Sequence, residues 1–216
     1  LNAELTCLNG KCEFLKCREN YYDLDNNLNN GCEYNCIFVS QNDIPDSDYI
    51  DSNCDGIDGT IDFAYFVSTG GDDTNTGTIN NPLKKISVAI NKAKENGKTQ
   101  ILVSQGTYSE YIQIENGISL FGGYNSENKW LRNYLENETI INASFAGIQF
   151  VNINLTTIFD GFKIIAGNSP VAGDNSIAIY INNSTELLEI SNIEITAGNG
   201  GNGLNGENGI TGNDGV

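Results

Sequence analysis

The chain has 216 residues, enough for one sizeable core or for a small module beside a larger domain. Asp and Glu number 28 against 11 Lys and Arg, which gives a net charge of −17. Such a charge repels nucleic acid and anionic lipid, and we expect no nucleic-acid partner. No apolar run approaches the ~20 residues of a membrane helix, so we expect no membrane span.

The first quarter of the chain holds all the cysteines. They are Cys7, Cys12, Cys17, Cys32, Cys36 and Cys54. Residues 1–60 are otherwise rich in Asn, Asp and Gly, and a segment with so few apolar clusters needs covalent or metal links to fold. The even number predicts three disulfides of open pairing and an extracellular or cell-surface location. Zinc is the alternative, but the chain has no His and no Cys-x-x-Cys pair.

One segment has helical periodicity, PLKKISVAINKAKENGK at 82–98. Its apolar face consists of Ile86, Ala89, Ile90 and Ala93. This i, i+3, i+4, i+7 spacing predicts an amphipathic helix. Pro82 favours the start of the helix and Gly97 its end.

The rest of residues 61–197 consists of short β-rich runs separated by Gly, Asn, Asp and Ser. The runs are YFVS at 65–68, ILVS at 101–104, YIQI at 111–114, ISLFGGY at 118–124, ETIINA at 138–143, IQFVNIN at 148–154, TIFDGFKII at 157–165, IAIYINN at 177–183 and LEISNIEI at 188–195. Sandwich, barrel and solenoid folds all fit such runs.

A repeat of strand, bend and strand at roughly 20–25 residues, without Asn-Gly hairpins between the runs, favours the solenoid. We therefore predict an all-β fold, a right-handed parallel β-helix with helix 82–98 as a cap at its first open end. The aromatic residues expected to stack inward are Phe145, Phe150, Phe159 and Phe162. Residues 1–60 would form a separate disulfide-rich head, 61–197 the β-helix and 198–216 a Gly-rich tail.

Twelve residues form a motif that extends from the YFVS run to the ISLFGGY run. They are Gly70, Asp72, Asn75, Gly77, Thr78, Pro82, Gly106, Thr107, Tyr108, Glu110, Gly122 and Gly123. With them, residues 65–125 resemble the opening of pectate-lyase-like parallel β-helix surface proteins of unassigned function. This resemblance implies the fold and leaves the activity open. Residues 21–36 and 51–59 resemble the Cys- and Asp-rich metal-binding segments of large bacterial surface proteins.

Carboxylates without basic partners dominate the segment between Arg18 and Lys84, which has 13 Asp and Glu and no Lys or Arg. Their repulsion favours an external cation, and calcium prefers oxygen ligands of this kind. The sharpest pattern is DSNCDGIDGTID, a D-x-[DN]-x-[DN]-G loop with Asp in place of the closing Glu. Its predicted ligands are Asp51, Asn53, Asp55, Ile57 at the position of a backbone carbonyl, and Asp62. The alternative is an Asp-rich turn anchored by a disulfide.

A second predicted calcium site has the same alternate spacing but Leu28 where Gly would stand. Its ligands are Asp23, Asp25 and Asn27, with Asn30 or Glu33 completing the shell. Either shell could include residues from Asp43, Asp46 and Asp48. A third group, Asp72, Asp73 and Asn75, fits a solvated turn better than a metal site.

The tail from residue 198 carries Gly at every third position and no Pro. Three structures fit this pattern: a flexible loop, a packed polyproline-II-like element and a collagen helix. The missing Pro argues against collagen.

We predict that the chain is not an enzyme. Without His there is no Ser-His-Asp or Cys-His arrangement. The bases available to a lyase after the helix are Lys129, Arg132 and Lys163, and the sequence places Arg132 in an irregular loop. Asp160 has no evident partner for a glycosidase pair and fits a bend between strands.

Three functions remain. The first is a secreted structural or adhesive protein, stabilised by calcium, with itself or a surface glycan as partner. The second is a carbohydrate-binding module whose aromatics stack on sugar rings, for which Trp130, Tyr134, Tyr124 and Tyr111 are candidates. The third is a fragment of a polysaccharide lyase. An exposed sheet face poor in aromatic and basic residues would favour the first.

Overall fold

The computed structural model describes residues 2–207, 209 and 212. The chain is mainly β with one α-helix, as the sequence predicts. The helix has 11 residues, and within the described part of the chain no helix has the length and apolar character needed to cross a membrane.

The head begins with an antiparallel hairpin that the sequence analysis missed. Its strands are β1 (Ala3–Leu8) and β2 (Lys11–Cys17), and a second short antiparallel pair follows, β3 (Tyr21–Tyr22) and β4 (Tyr34–Asn35). The hairpin turns at Asn9 and Gly10, whose φ values are 52° and 80°. Asn-Gly favours this turn because both residues tolerate positive φ.

Each cysteine is bonded to the next cysteine along the chain, which gives three disulfides. This confirms the predicted disulfides and leaves no free cysteine for a zinc site. The pairs are Cys7–Cys12, Cys17–Cys32 and Cys36–Cys54. The first closes the hairpin, the second ties β2 to the residues before β4, and the third ties the residue after β4 to Cys54 in the DSNCDGIDGTID segment. Each removes conformations from the unfolded chain of a segment that lacks a large core of its own.

After the head come thirteen further strands. They are β5 (Ala64–Val67), β6 (Gln100–Ser104), β7 (Gly106–Ser109), β8 (Gln113–Ile114), β9 (Ser119–Asn125), β10 (Leu131–Arg132), β11 (Thr139–Ala143), β12 (Ile148–Val151), β13 (Thr157–Asp160), β14 (Lys163–Ala166), β15 (Ile179–Asn182), β16 (Leu188–Ser191) and β17 (Glu194–Thr196). All but β10 belong to parallel pairs.

These strands form three parallel sheets. The six-stranded sheet has the order β16-β13-β9-β6-β5 with β10 antiparallel to β9, the four-stranded sheet is β17-β14-β11-β7, and the three-stranded sheet is β15-β12-β8. From β6 onward the chain visits the six-, four- and three-stranded sheets in that order and repeats the cycle. The spacing of partners departs from the predicted 20–25 residues in both directions. Ile101 pairs with Leu120, 19 residues later, whereas Leu120 pairs with Phe159, 39 residues later.

The core lies between these sheets, where side chains from successive layers align. Tyr108, Ile141 and Ile164 are register partners in the four-stranded sheet, and all three are buried. Phe159 packs against Phe150 with ring centroids 5.5 Å apart and stacks on Phe162 at 4.4 Å. Phe145 is only partly buried, so the predicted aromatic stack has three members rather than four.

Helix α1 (Ile86–Asn96) is shorter at its start than the predicted 82–98, because Pro82 and Leu83 are extended. Leu83 bridges Val67 of β5 instead. The predicted apolar face is buried and packs against β5 and β6, and Gly97 ends the helix with φ 69°.

Two predicted runs, 157–165 and 188–195, are each two strands joined by a bend. Gly161 and Asn192 supply the positive φ, 81° and 49°, that these bends need. The expected bend after Asp160 is confirmed. Arg132, expected in an irregular loop, lies instead on β10.

The head packs directly on the outer face of the six-stranded sheet. Ile57 from the head and Trp130 from the segment before β10 cover Phe66, Leu102 and Phe121. Strands β5, β6 and β9 are therefore buried on both faces, which explains their continuous apolar runs.

The start of the tail packs as a further layer on residues 167–174. Asn199 accepts a hydrogen bond from the Ser169 amide at 2.9 Å, and the Gly201 amide donates to Asp174 at 2.8 Å. A Cβ at Gly201 would overlap the Val171 carbonyl, so this approach requires glycine. Of the three predicted structures the packed one fits residues 198–202; the rest of the period-three pattern lies partly outside the described residues.

Candidate functional site

Three carboxylates of the head lie together at its surface: Asp23, Asp25 and Glu33. One oxygen of each lies within 4.8 Å of the others. Among the described residues this acidic triad is the one group of three or more Asp, Glu, Cys or His close enough to share an ion. Asp23 follows β3 and Glu33 precedes β4, so the pairing of these strands brings together residues ten positions apart. The second predicted calcium site is therefore the one whose acids converge.

Hydrogen bonds hold the triad in place. The Asn27 amide donates to Asp25 Oδ1 at 2.9 Å, Asn30 Nδ2 donates to Asp25 Oδ2 at 2.9 Å, and the Leu24 amide donates to Glu33 at 3.0 Å. The Asn30 bond, followed by that of Asn27, lowers the pKa of Asp25 below its ordinary value. This carboxylate is therefore charged and oriented at neutral pH. The Asn27 side chain accepts from Asn29 instead of facing the carboxylates.

The first predicted loop, Asp51 to Asp62, folds as a turn organised by its own carboxylates. Asp51 Oδ2 accepts from the Gly56 amide at 2.7 Å and from Tyr34 at 2.8 Å. Asp55 Oδ2 accepts from the Ile61 amide at 2.8 Å and from Asn53 at 3.0 Å. Within the described residues Asp51, Asp55 and Asp62 do not converge as the triad does, and Asp62 is exposed. Calcium in this loop stays a prediction.

Two acids, Asp55 within this loop and the buried Asp43 beside it, accept hydrogen bonds from backbone amides and have no ion pair with a basic side chain among the described residues. Burial raises the pKa of Asp55 to about 6, and the charge of Asp51 adds to the shift. Burial also raises the pKa of Asp43, although the amides of Ser52 and Gly59 donate to it at 3.1 and 2.9 Å. A bound cation would stabilise both carboxylates in their charged form.

The remaining predicted acids have structural partners. Asp46 accepts from the Asp48 amide at 2.7 Å, and Asp72 accepts from the Thr74 amide at 2.8 Å, as in Asx turns. Asp73 accepts from the amides of Lys84 and Lys85 just before α1. The expectation of a solvated turn at Asp72 agrees with these contacts.

Arg132 joins the head to the sheets. Its side chain is completely buried and pairs with Asp58 of the head at 3.2 Å and with Asp160 of β13. It also donates to the Asp46 carbonyl at 2.7 Å. Asp58 and Asp160 therefore have a basic partner, which the sequence analysis missed because it lies 74 and 28 residues away. Burial raises the pKa of Asp58 to about 7, and Arg132 opposes that shift.

Two of the three predicted lyase bases are held in ion pairs, and the third, Lys129, is exposed. Arg132 is buried in its ion pairs, and Lys163 pairs with Glu194 at 3.3 Å and Glu138 at 3.7 Å. Of the aromatic candidates for sugar stacking, Trp130 and Tyr124 are buried in the junction, Tyr134 is half-buried and Tyr111 is exposed.

The exposed face of the four-stranded sheet is nearly free of aromatic and basic side chains. Its alternating outward positions are Thr107, Ser109, Ile140, Asn142, Lys163, Ile165, Glu194 and Thr196. This composition favours the first predicted function, a structural or adhesive protein.

A groove of about 300 Å³ lies where the six- and four-stranded sheets meet. We call it the corner groove; its lining residues are Tyr134, Leu135, Glu138, Thr139, Gly161, Phe162, Lys163, Asn192, Ile193 and Glu194. The bends after β13 and β16 form its floor, and the loop between β10 and β11 forms one wall. The sequence analysis named Tyr134 and Lys163 as separate candidates but did not indicate that they line one groove, since its residues come from three separated segments.

The motif residues of the first coil have structural contacts. Glu110 accepts hydrogen bonds from the Ile86 and Ser87 amides, each at 2.9 Å, and so caps α1 from a distance. Tyr108 donates to the Ser104 carbonyl at 2.9 Å. A Cβ at Gly123 would lie 2.6 Å from the backbone of Tyr134, so the loop before β11 can cross the sheet only over glycine. These contacts give the motif residues a role in the fold and carry no information about activity.

Comparisons of the chain with protein-family models, with curated proteins and with solved structures find no match.

Proposed function

We propose that this chain is a secreted or cell-surface structural and adhesive protein, built on a right-handed parallel β-helix and stabilised by calcium in its head. The observation that carries the calcium proposal is the convergence of Asp23, Asp25 and Glu33 at the surface of a disulfide-bonded module.

The cyclic order of the strands supports the β-helix. Three parallel sheets visited in rotation are what a chain produces when each turn stacks on the one before it. The right hand follows from the strong preference of connections between parallel strands. The similarity to pectate-lyase-like β-helix surface proteins in residues 65–125 agrees with this architecture, and we propose membership of that class.

The chemistry of the triad supports calcium. Calcium takes carboxylate and amide oxygens at flexible geometry, and waters complete its shell. Asn30 stands beside Asp25, and the lowered pKa of Asp25 means that little proton release opposes binding at neutral pH. The net charge of −17 favours cation binding throughout the head.

Disulfides support an oxidising, extracellular location. We propose no enzymatic activity, since two of the three candidate bases, Arg132 and Lys163, are held in ion pairs.

Calorimetric titration with calcium tests the proposal on the oxidised protein. We expect a dissociation constant of roughly 10⁻⁴–10⁻³ M, the range of extracellular calcium modules. The double variant Asp25→Asn, Glu33→Gln should weaken binding at least tenfold, whereas Glu13→Gln on the exposed strand β2 should not. Absence of heat, or equal affinity in both variants, would remove the triad as a calcium site.

A further inference from the structure

We infer that the corner groove is a binding site for a neutral oligosaccharide. The inference adds a ligand to the proposed adhesive role and uses residues remote from the acidic triad.

The groove has an apolar side. Leu135 is 79% exposed on its wall and presents an apolar surface to the groove. Tyr134 stands beside it, with the Arg132 guanidinium 5.7 Å from its ring centroid and Tyr49 at its edge. These contacts fix the tyrosine ring before any ligand arrives, and a fixed ring loses little entropy on binding.

The opposite side is polar and accessible. Lys163 lies between Glu138 and Glu194, whose side chains are 61% and 66% exposed. The Glu194 hydrogen bond and the charge of Glu138 raise the pKa of Lys163, so its ammonium stays charged. Carboxylates accept hydrogen bonds from paired hydroxyl groups, and the ammonium donates to ring or hydroxyl oxygens.

The floor is shaped by a glycine bend. A Cβ at Gly161 would lie 3.2 Å from Tyr134 Cβ, so any other residue would narrow the groove at this point. Asn192 is held by its donation to Asp160 at 2.6 Å, and Asp160 is in turn held by Arg132. The buried ion pair thus keeps both the floor and the wall in position.

A sugar ring has an apolar face of C–H groups and a rim of hydroxyls, which matches one apolar and one polar side. The net negative charge selects against uronate chains, phosphates and nucleic acid, because the single ammonium already has two carboxylate partners. At about 300 Å³ the groove accepts a short part of a longer glycan rather than enclosing it.

The test is calorimetric titration of the calcium-loaded, oxidised protein with cellohexaose, mannohexaose and chitohexaose, and with hexagalacturonate as the anionic comparison. We expect at least one neutral sugar to bind and hexagalacturonate to bind at least tenfold more weakly. Leu135→Ser should weaken binding about tenfold by removing its apolar contact, whereas Leu131→Ser, exposed on the adjoining strand β10 but outside the groove, should not.

Glu138→Gln should weaken sugar binding, and Glu136→Gln should leave it unchanged. Calcium affinity measured in the same variants should equal that of the unaltered protein, so a failed groove and a failed calcium site are told apart. The inference is overturned if no neutral sugar binds, if hexagalacturonate binds best, or if Leu135→Ser and Leu131→Ser behave alike.

Discussion

At the scale of single residues, Arg132 shows how a charge far along the chain decides the state of acids in the head. The acids around it could be recognised from the sequence as unbalanced, but their partner could not, because a pairing across 74 residues leaves no local pattern. The sequence also gives no sign of the partner of Tyr124, whose hydroxyl donates to the distant Asp58 carbonyl at 2.6 Å. By contrast, the bend at Asp160–Gly161 was predictable, since only local backbone preferences are involved.

Substitution of Arg132 by Met should lower the free energy of unfolding by about 3–5 kcal/mol, because Asp58 and Asp160 would remain buried without a counter-charge. Denaturant unfolding measures the change. Lys16→Met, which breaks an exposed pair with Glu4, should cost less than about 1 kcal/mol. Adding Asp58→Asn and Asp160→Asn should recover part of the loss. If Arg132→Met and Lys16→Met lower the free energy of unfolding equally, the buried ion pairs of Arg132 do not hold the head to the sheet.

At the scale of elements, most strands were predictable because alternating apolar residues mark the inward face of each. The boundaries of α1 were not, because Pro82 suggested a helix start that the bridge between Leu83 and Val67 overrides. The head hairpin was missed although Asn9–Gly10 is a strong turn signal, since cysteine spacing drew the interpretation toward an irregular module. The pairing of the cysteines had no sequence signal.

The capping of α1 by Glu110 gives a prediction at this scale. Glu110→Ala should destabilise the protein by about 1–2 kcal/mol, because two amides of the first turn lose their acceptor and the helix dipole loses a negative charge. Thermal unfolding measures the change. Glu115→Ala, which removes only the exposed pair with Lys94, is the matched control and should change stability by less than half as much. A result in which both variants match the unaltered protein argues against the cap.

At the scale of the whole molecule, the head and the stacked sheets share one buried surface, so stability should depend jointly on pH and calcium. Burial raises the pKa of Asp55 from 3.8 to about 6 and raises that of Asp43. The folded chain therefore holds protons that the unfolded chain has already released above pH 3.8. Without calcium, this stabilisation is complete below that pH and is lost as the pH rises through about 6.

Calcium in the Asp51–Asp62 loop as well as at the triad would reverse this dependence, because the metal would bind the charged Asp55 and compete with its proton. We expect the unfolding temperature in chelator to fall between pH 4 and 7, and that in millimolar calcium to rise over the same interval. Asp55→Asn should flatten the slope in chelator. Parallel pH profiles in the two conditions would contradict the coupling of these acids to a metal.

A mainly β chain with one helix was expected from composition and run length, whereas the corner groove and the junction were not. Both arise where segments distant in sequence meet, and only packing in three dimensions creates them. Trp130, the single tryptophan, is buried in that junction and donates to the Ile79 carbonyl at 3.1 Å. Its fluorescence therefore reports on contact between head and sheet.

The most direct test of calcium stabilisation is thermal unfolding of the oxidised protein, followed by Trp130 fluorescence, in millimolar calcium and in chelator. A ligand that binds only the folded state raises the unfolding temperature by mass action. We expect a clear upward shift with calcium that is smaller in the Asp25→Asn, Glu33→Gln variant and kept in Glu13→Gln. Identical unfolding temperatures in calcium and chelator would contradict it and leave the acids of the head as solvated turns.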